Sequence, residues 1–287
     1  MAHAMGVDYI EQDVVLTRDN VLIVLHDLFL DAVTDVAERF AGRERGDGHF
    51  YAIDFNLEEI RTLSVHERLK ADGTVEFPGR FPHRDRIFRI PTLAEELQLI
   101  QGLNRSRGKN VGVYIEPKAP AWHLEQGRDI MQKVLSCLEE FGYRRRDDKA
   151  ILQSFDYEHL SRLRTEMDSD LKLVQLIGEN SWQESAADFD YLRTKDGLRE
   201  IATFADGIGP WLMQLMEFKT NGEIANTDLV SLAHRSGLFV HGYTLRADQL
   251  PVEAGTMDHA VDLLTNRVGL DGVFTDHPDQ VLRWRNE

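Results

Sequence analysis

Three carboxylates, one imidazole and one ammonium carry the chemistry open to this chain. Glu11 and Asp13 lie two residues apart in Tyr9-Ile10-Glu11-Gln12-Asp13, so on a strand both point to one face. Glu116 closes a second apolar run, Val111-Gly112-Val113-Tyr114-Ile115. An ionised group there is costly unless it is paired or bound to a metal. Three hard oxygen ligands with no cysteine among them suit Ca²⁺ or Mg²⁺ far better than a soft metal. Lys118 follows Glu116 by two residues and points the same way, either to balance the carboxylates or to bind a phosphate oxygen. Pro117 between them cannot donate to a ladder, so the strand is expected to end there.

The imidazole is reached through a hairpin. Asp13 to His26 reads as two apolar runs, Val14 to Thr17 and Val21 to Leu25, joined by a turn at Arg18-Asp19-Asn20. A turn centred on Asp19-Asn20 places Arg18 opposite Val21, Val14 opposite Leu25 and Asp13 opposite His26. Cross-strand partners share a face, so His26 is expected beside the two carboxylates. A pair of acids near a strand end is more often a solvated edge, and a His-Asp dipeptide is common. Their convergence with Glu116 is what marks a site.

These residues need strands to hold them, and the chain supplies strands in series. Short β-branched runs at Val7–Glu11, Asn110–Glu116, Ala150–Phe155, Leu171–Ile177, Ala205–Pro210, Leu238–Leu245 and Asp271–Asp276 alternate with amphipathic stretches such as Ile130–Phe141 and Tyr157–Met167. Strand-then-helix units in series predict an α/β fold with a parallel sheet, and the number of units favours a TIM (β/α) barrel. Seven strands is one short of eight. Polar residues fall at or after the strand ends, where such a barrel keeps its active site. His241 and Tyr243, on that rim, can face substrate or support the fold; Trp211 can form an apolar wall of the site or pack in the core. Leu28 to Arg89 is too long for a βα loop and reads as an insertion over the barrel mouth, with a short helix near Leu57 capped by Asn56 and Glu59. The organisation expected is one domain over residues 1–287 with an insertion at about 28–89.

Composition removes other classes. With 287 residues, 42% of them hydrophobic, the chain is long enough to bury a core without disulfides, and Cys137 is the single cysteine. A net charge of −16 repels phosphate backbones, so no nucleic-acid partner is expected, and it attracts divalent cations. No apolar run spans a membrane, and Met1 to Gly6 lacks the basic and apolar regions of a signal peptide.

The motifs resemble those of the glycerophosphodiester phosphodiesterases. Tyr9-Ile10-Glu11-Gln12-Asp13, Leu16-Thr17-Arg18-Asp19, Val24-Leu25-His26-Asp27 and Glu116-Pro117-Lys118 look like that signature, although the residue before the lysine is usually apolar there. Gln153-Ser154-Phe155, Tyr243-Thr244 and Phe274-Thr275-Asp276-His277-Pro278 match later motifs. Val33-Thr34-Asp35-Val36-Ala37, Tyr51-Ala52-Ile53-Asp54-Phe55 and Phe77-Pro78-Gly79-Arg80-Phe81-Pro82 resemble the bacterial periplasmic branch. The resemblance implies a TIM barrel of the phospholipase-C-like phosphodiesterase type, and hydrolysis of small glycerophosphodiesters to glycerol 3-phosphate and an alcohol. It implies Glu11, Asp13 and Glu116 as ligands of Ca²⁺ (Mg²⁺ the alternative), His26 as one of two acid–base histidines, and Lys118 on the phosphate.

One departure is evident. The family begins with a strand ending in His-Arg-Gly, and His3 is not followed by Arg-Gly. The expectation is an N-terminally truncated member that lacks the first strand, most of the first helix, the second histidine and any leader to the periplasm. An open barrel edge would then be free to self-associate. The alternative reading is a noncatalytic chain that binds metal and phosphodiester without cleavage. A sphingomyelinase-type phospholipase is a more distant reading.

Overall fold

The computed structural model describes residues 1–70, 72–80, 88–218, 224–250 and 255–286. The Phe81-Pro82 end of one family-like segment lies outside the described residues. Among the described residues are ten strands: β1 (Tyr9–Leu16), β2 (Leu22–Val24), β3 (Gly112–Pro117), β4 (Ala150–Ser154), β5 (Lys172–Ile177), β6 (Gly207–Pro210), β7 (Met216–Phe218), β8 (Ile224–Asn226), β9 (Phe239–Leu245) and β10 (Gly272–Thr275). Eight of them form a mixed sheet, and β7 and β8 pair separately. Helices follow most of the sheet strands, which is the TIM-type succession the sequence predicts. The β7–β8 hairpin was not expected, because Met216–Phe218 and Ile224–Asn226 are too short to show a period.

The chain divides into two compact units. The first comprises Met1–Ile10, Arg107–Tyr114 and Tyr143–Glu287. Its strands run parallel in the order β10-β9-β6-β5-β4. Along one face Tyr114, Ile151 and Val174 are buried against Tyr9, Phe239 and Phe274. Glycines make room for these rings. A Cβ on Gly112 would lie 2.5 Å from the Tyr9 ring, one on Gly207 2.5 Å from Phe239, and one on Gly272 2.8 Å from His241. Any side chain at those positions would displace an aromatic from the core.

The second unit comprises Glu11–Ser106 and Ile115–Gly142. Val15, Ile23 and Leu25 of the hairpin join Leu30, Val36, Phe50, Phe55, Ile60, Leu63 and Ile90 in one buried cluster, so the described residues between 28 and 90 share a core with the hairpin. Leu57–Ile60 is helical and carries the expected reciprocal cap of Asn56 and Glu59. A longer helix, Leu93–Arg107, opens on Thr92 and Glu95, each side chain satisfying the other residue's backbone N–H. Thr92 and Glu95 thus form a reciprocal hydroxyl–carboxylate cap.

The hairpin register differs from expectation by one residue. Val14 pairs Val24, Val15 pairs Ile23 and Leu16 pairs Leu22. The Thr17 N–H donates to Val21 O at 3.0 Å, closing a three-residue loop in place of a two-residue turn. Asn20 adopts φ 61°, the left-handed conformation that a three-residue hairpin loop needs at its last position. The Thr17 hydroxyl tightens the loop by accepting from the Val21 N–H at 2.9 Å and donating to Asp19 at 2.6 Å. Asp13 thus faces Leu25, whose N–H donates to Asp13 O at 3.0 Å, and His26 lies beyond the paired residues. The predicted Asp13–His26 pairing is corrected accordingly. The expected strand at Val7–Glu11 and the first hairpin strand are one continuous β1.

Candidate active site

Glu11 and Asp13 alternate along β1 and share a face; Glu116 sits near the end of β3, every residue of which is buried. The Lys118 N–H donates to Val14 O at 3.0 Å, fixing the end of β3 against β1. One carboxylate oxygen from each of Glu11, Asp13 and Glu116 can be chosen so that all lie within 4.8 Å of one another. That spacing suits a single hard cation with oxygen ligands at about 2.3–2.6 Å. The donor set fits Ca²⁺ or Mg²⁺, and the protein already places a cation among these acids. Lys118 Nζ stands 2.6 Å from Glu116 and 3.6 Å from Asp13. β3 ends at Pro117, as expected, and Ala119 at φ 40° turns the chain into the helix Pro120–Glu125.

The electrostatics of Glu116 follow from its position. Burial pushes its carboxyl up to about 7; the Lys118 ammonium pulls it down and the Asp13 charge raises it again. The charge of His26 also acts on it, so the imidazole is within electrostatic reach of the cluster. His26 reaches this position from the loop and not through the ladder. Its side chain is 62% exposed, and its Nδ1 lies 2.7 Å from Asp27 Oδ1.

Asp27 escaped the sequence reading, although the His-Asp dipeptide was the available signal. Burial alone would raise its carboxyl, but hydrogen bonds from His26 and Arg68 outweigh that and hold it down at about 2. An ionised carboxylate only accepts, so His26 Nδ1 carries the hydrogen and Nε2 is left free to exchange protons. The other Asp27 oxygen accepts from Arg68 at 2.6 Å. Gln12, between the two acids, is buried and donates to Glu96 at 3.2 Å on the Leu93–Arg107 helix. A buried His123 caps the far end of β1: its Nε2 accepts the Leu16 N–H at 3.3 Å, while Nδ1 lies 3.2 Å from Ala119 O.

Five of the predicted residues thus belong to one unit: Glu11, Asp13, His26, Glu116 and Lys118. Trp211, His241 and Tyr243 belong to the other and have partners there. Trp211 meets Trp182 edge-on at 5.1 Å. Tyr243 donates its hydroxyl to Ile177 O at 3.0 Å and packs edge-on to Phe155. His241 rests on Gly272 beside Phe239, with Nδ1 3.3 Å from the Tyr114 hydroxyl, and burial lowers its pKa to about 4.

Fold and cluster together define a class, a TIM-type α/β protein with an acidic cluster suited to a divalent cation. Residues 1–280 match the glycerophosphoryl diester phosphodiesterase family. A glycerophosphodiester phosphodiesterase of Haemophilus influenzae is 40% identical across 97% of this chain and 82% of its own length. A crystal structure from Silicibacter pomeroyi has the same fold, with a TM-score of 0.69 at 23% identity over 98% of this chain and 84% of that one. An Oleispira antarctica phosphodiesterase, solved in complex with the product sn-glycerol-3-phosphate, aligns with a TM-score of 0.61 at 17% identity over 99% of this chain and 87% of that one. The chain belongs to the glycerophosphoryl diester phosphodiesterase family. Among the described residues, no helix is long and apolar enough to cross a membrane.

Proposed function

We propose that this protein hydrolyses glycerophosphodiesters such as glycerophosphocholine to glycerol 3-phosphate and an alcohol, with Ca²⁺ (Mg²⁺ the alternative) held by Glu11, Asp13 and Glu116. The observation that carries the reading is the cluster itself: three carboxylate oxygens within 4.8 Å, with an ammonium already among them. The Oleispira antarctica relative's bound product supports glycerol 3-phosphate as what is released. When bound, a divalent cation supplies positive charge against the charge that builds on the phosphoryl oxygens. Lys118, with Nζ 2.6 Å from Glu116, adds a second positive group there to contact the phosphate. His26, with Nδ1 committed to Asp27, uses Nε2 for proton transfer to or from the reacting oxygens. A periplasmic location is part of the proposal, supported by the Val33–Ala37 and Tyr51–Phe55 segments that resemble that branch.

The test is hydrolysis of glycerophosphocholine with added Ca²⁺ or with chelator, read by coupled detection of glycerol 3-phosphate. Calcium-dependent turnover that His26→Ala lowers by about 10²–10⁴-fold is the expected result. Calcium binding without turnover would favour the binding-only reading, and absence of both would refute the assignment.

A further inference from the structure

Resting on the reading of His26 as a catalytic histidine, we infer that Arg68 is a positioning residue for it, acting through Asp27. Arg68 is 41 residues further along the chain, and its guanidinium reaches Asp27 Oδ2 at 2.6 Å while His26 Nδ1 lies 2.7 Å from Oδ1. The two oxygens of one carboxylate are thus divided between a fixed cation and the imidazole. Asp27 is held by its partners on both sides, with a side chain only 14% exposed. His26 is 62% exposed, so burial does little to set its ring. An exposed imidazole without such a brace samples several rotamers and both neutral tautomers. A carboxylate pinned at its far oxygen allows one of each, with Nε2 directed away from Asp27.

The backbone around Arg68 is built to hold it there. His66 N–H donates to Val33 O at 2.9 Å and Leu69 N–H to Ala32 O at 2.9 Å, so residues 66–69 lie alongside 32–33. Nearby, Asp35 accepts the Ser64 N–H at 2.8 Å with its side chain. The Arg68 carbonyl is itself engaged, accepting the Glu76 N–H at 2.8 Å. Arg68 therefore approaches Asp27 from a hydrogen-bonded frame, placed by backbone pairing as well as by charge. Through this contact the segment beyond His26 reports on, and constrains, the residue proposed to move the proton.

The experiment compares wild type with Arg68→Gln and Arg68→Lys. Nitrogen-15 NMR of the His26 ring, assigned by its loss in His26→Gln, is read beside kcat and KM. Wild type is expected to show a single neutral tautomer protonated at Nδ1. Arg68→Gln should lose that single signature, and kcat should fall roughly tenfold with KM nearly unchanged. Arg68→Lys should restore most of both, since the charge on Asp27 Oδ2 is retained. A His26 tautomer unchanged in Arg68→Gln overturns the inference, as does a loss confined to thermal stability or KM. The ring spectrum needs no turnover, so a protein inactive in every form would refute the catalytic reading while still deciding whether Arg68 sets His26.

Discussion

Replacing Glu116 with Gln tests the electrostatics of the cluster with no substrate present. Burial moves the Glu116 carboxyl from 4.5 up to about 7, and the residue is only 7% exposed, so solvent does little to screen the effect. A raised carboxyl pKa means that the unfolded chain gives up its proton first as pH rises. Stability of the metal-free protein must therefore fall from about pH 4.5 and level off above about pH 7. At about 1.36 kcal/mol per pH unit, the displacement corresponds to about 3 kcal/mol. Glutamine keeps the shape and cannot ionise, so Glu116→Gln loses this decline; any cost of the altered Lys118 contact is the same at each pH. Urea unfolding in chelator, from about pH 4.5 to about pH 8, should show the variant gaining about 3 kcal/mol on wild type across the window. Saturating Ca²⁺ should remove the wild-type decline, because a cation bound only by the folded, ionised cluster favours that state. Parallel pH profiles for the two proteins in chelator would refute the claim that Glu116 is a strained, buried acid.

Glu11→Gln and Asp13→Asn should each weaken Ca²⁺ binding at least about tenfold in calorimetry, while His26→Ala leaves it unchanged and lowers turnover by about 10²–10⁴-fold. His123 is fully buried, and burial lowers its pKa from 6.5 to about 4. As pH falls, the unfolded chain takes up that proton first, so stability is lost between about pH 6.5 and about pH 4. His123→Gln, which can still accept the Leu16 N–H, should remove about 3 kcal/mol of that acid-side loss in urea unfolding. Asn20→Gly should leave the melting temperature nearly unchanged, whereas Asn20→Val should cost about 1–2 kcal/mol, because a β-branched residue resists the left-handed conformation.

Much of the site was legible because it depends on short-range geometry. Alternation along β1 put Glu11 and Asp13 on one face, and the apolar run before Glu116 marked a buried strand with a costly charge at its end. The capping box at Asn56 was equally local, since it is closed by a residue three positions on. The hairpin register was not legible to one residue. Whether Arg18-Asp19-Asn20 makes a two- or three-residue loop depends on Asn20 adopting φ 61°, and the Thr17 hydroxyl and the Asp19 contact to the Leu57 N–H help to set that choice. The β7–β8 hairpin had too few residues for any pattern to emerge.

What the sequence by itself determined was the inventory and the phase: which side chains can ligate, which strands carry them, the succession of strands and helices, and the motifs that resemble this family. What only the tertiary structure decided was which partners meet across long stretches of chain. Glu116 comes within ligand distance of Glu11 and Asp13 from more than 100 positions away, and Arg68 reaches Asp27 from 41 positions away. The reason is physical. Strand periodicity and caps are set by bonds between near neighbours, whereas the distance between remote carboxylates depends on how whole elements pack, and no single residue encodes that.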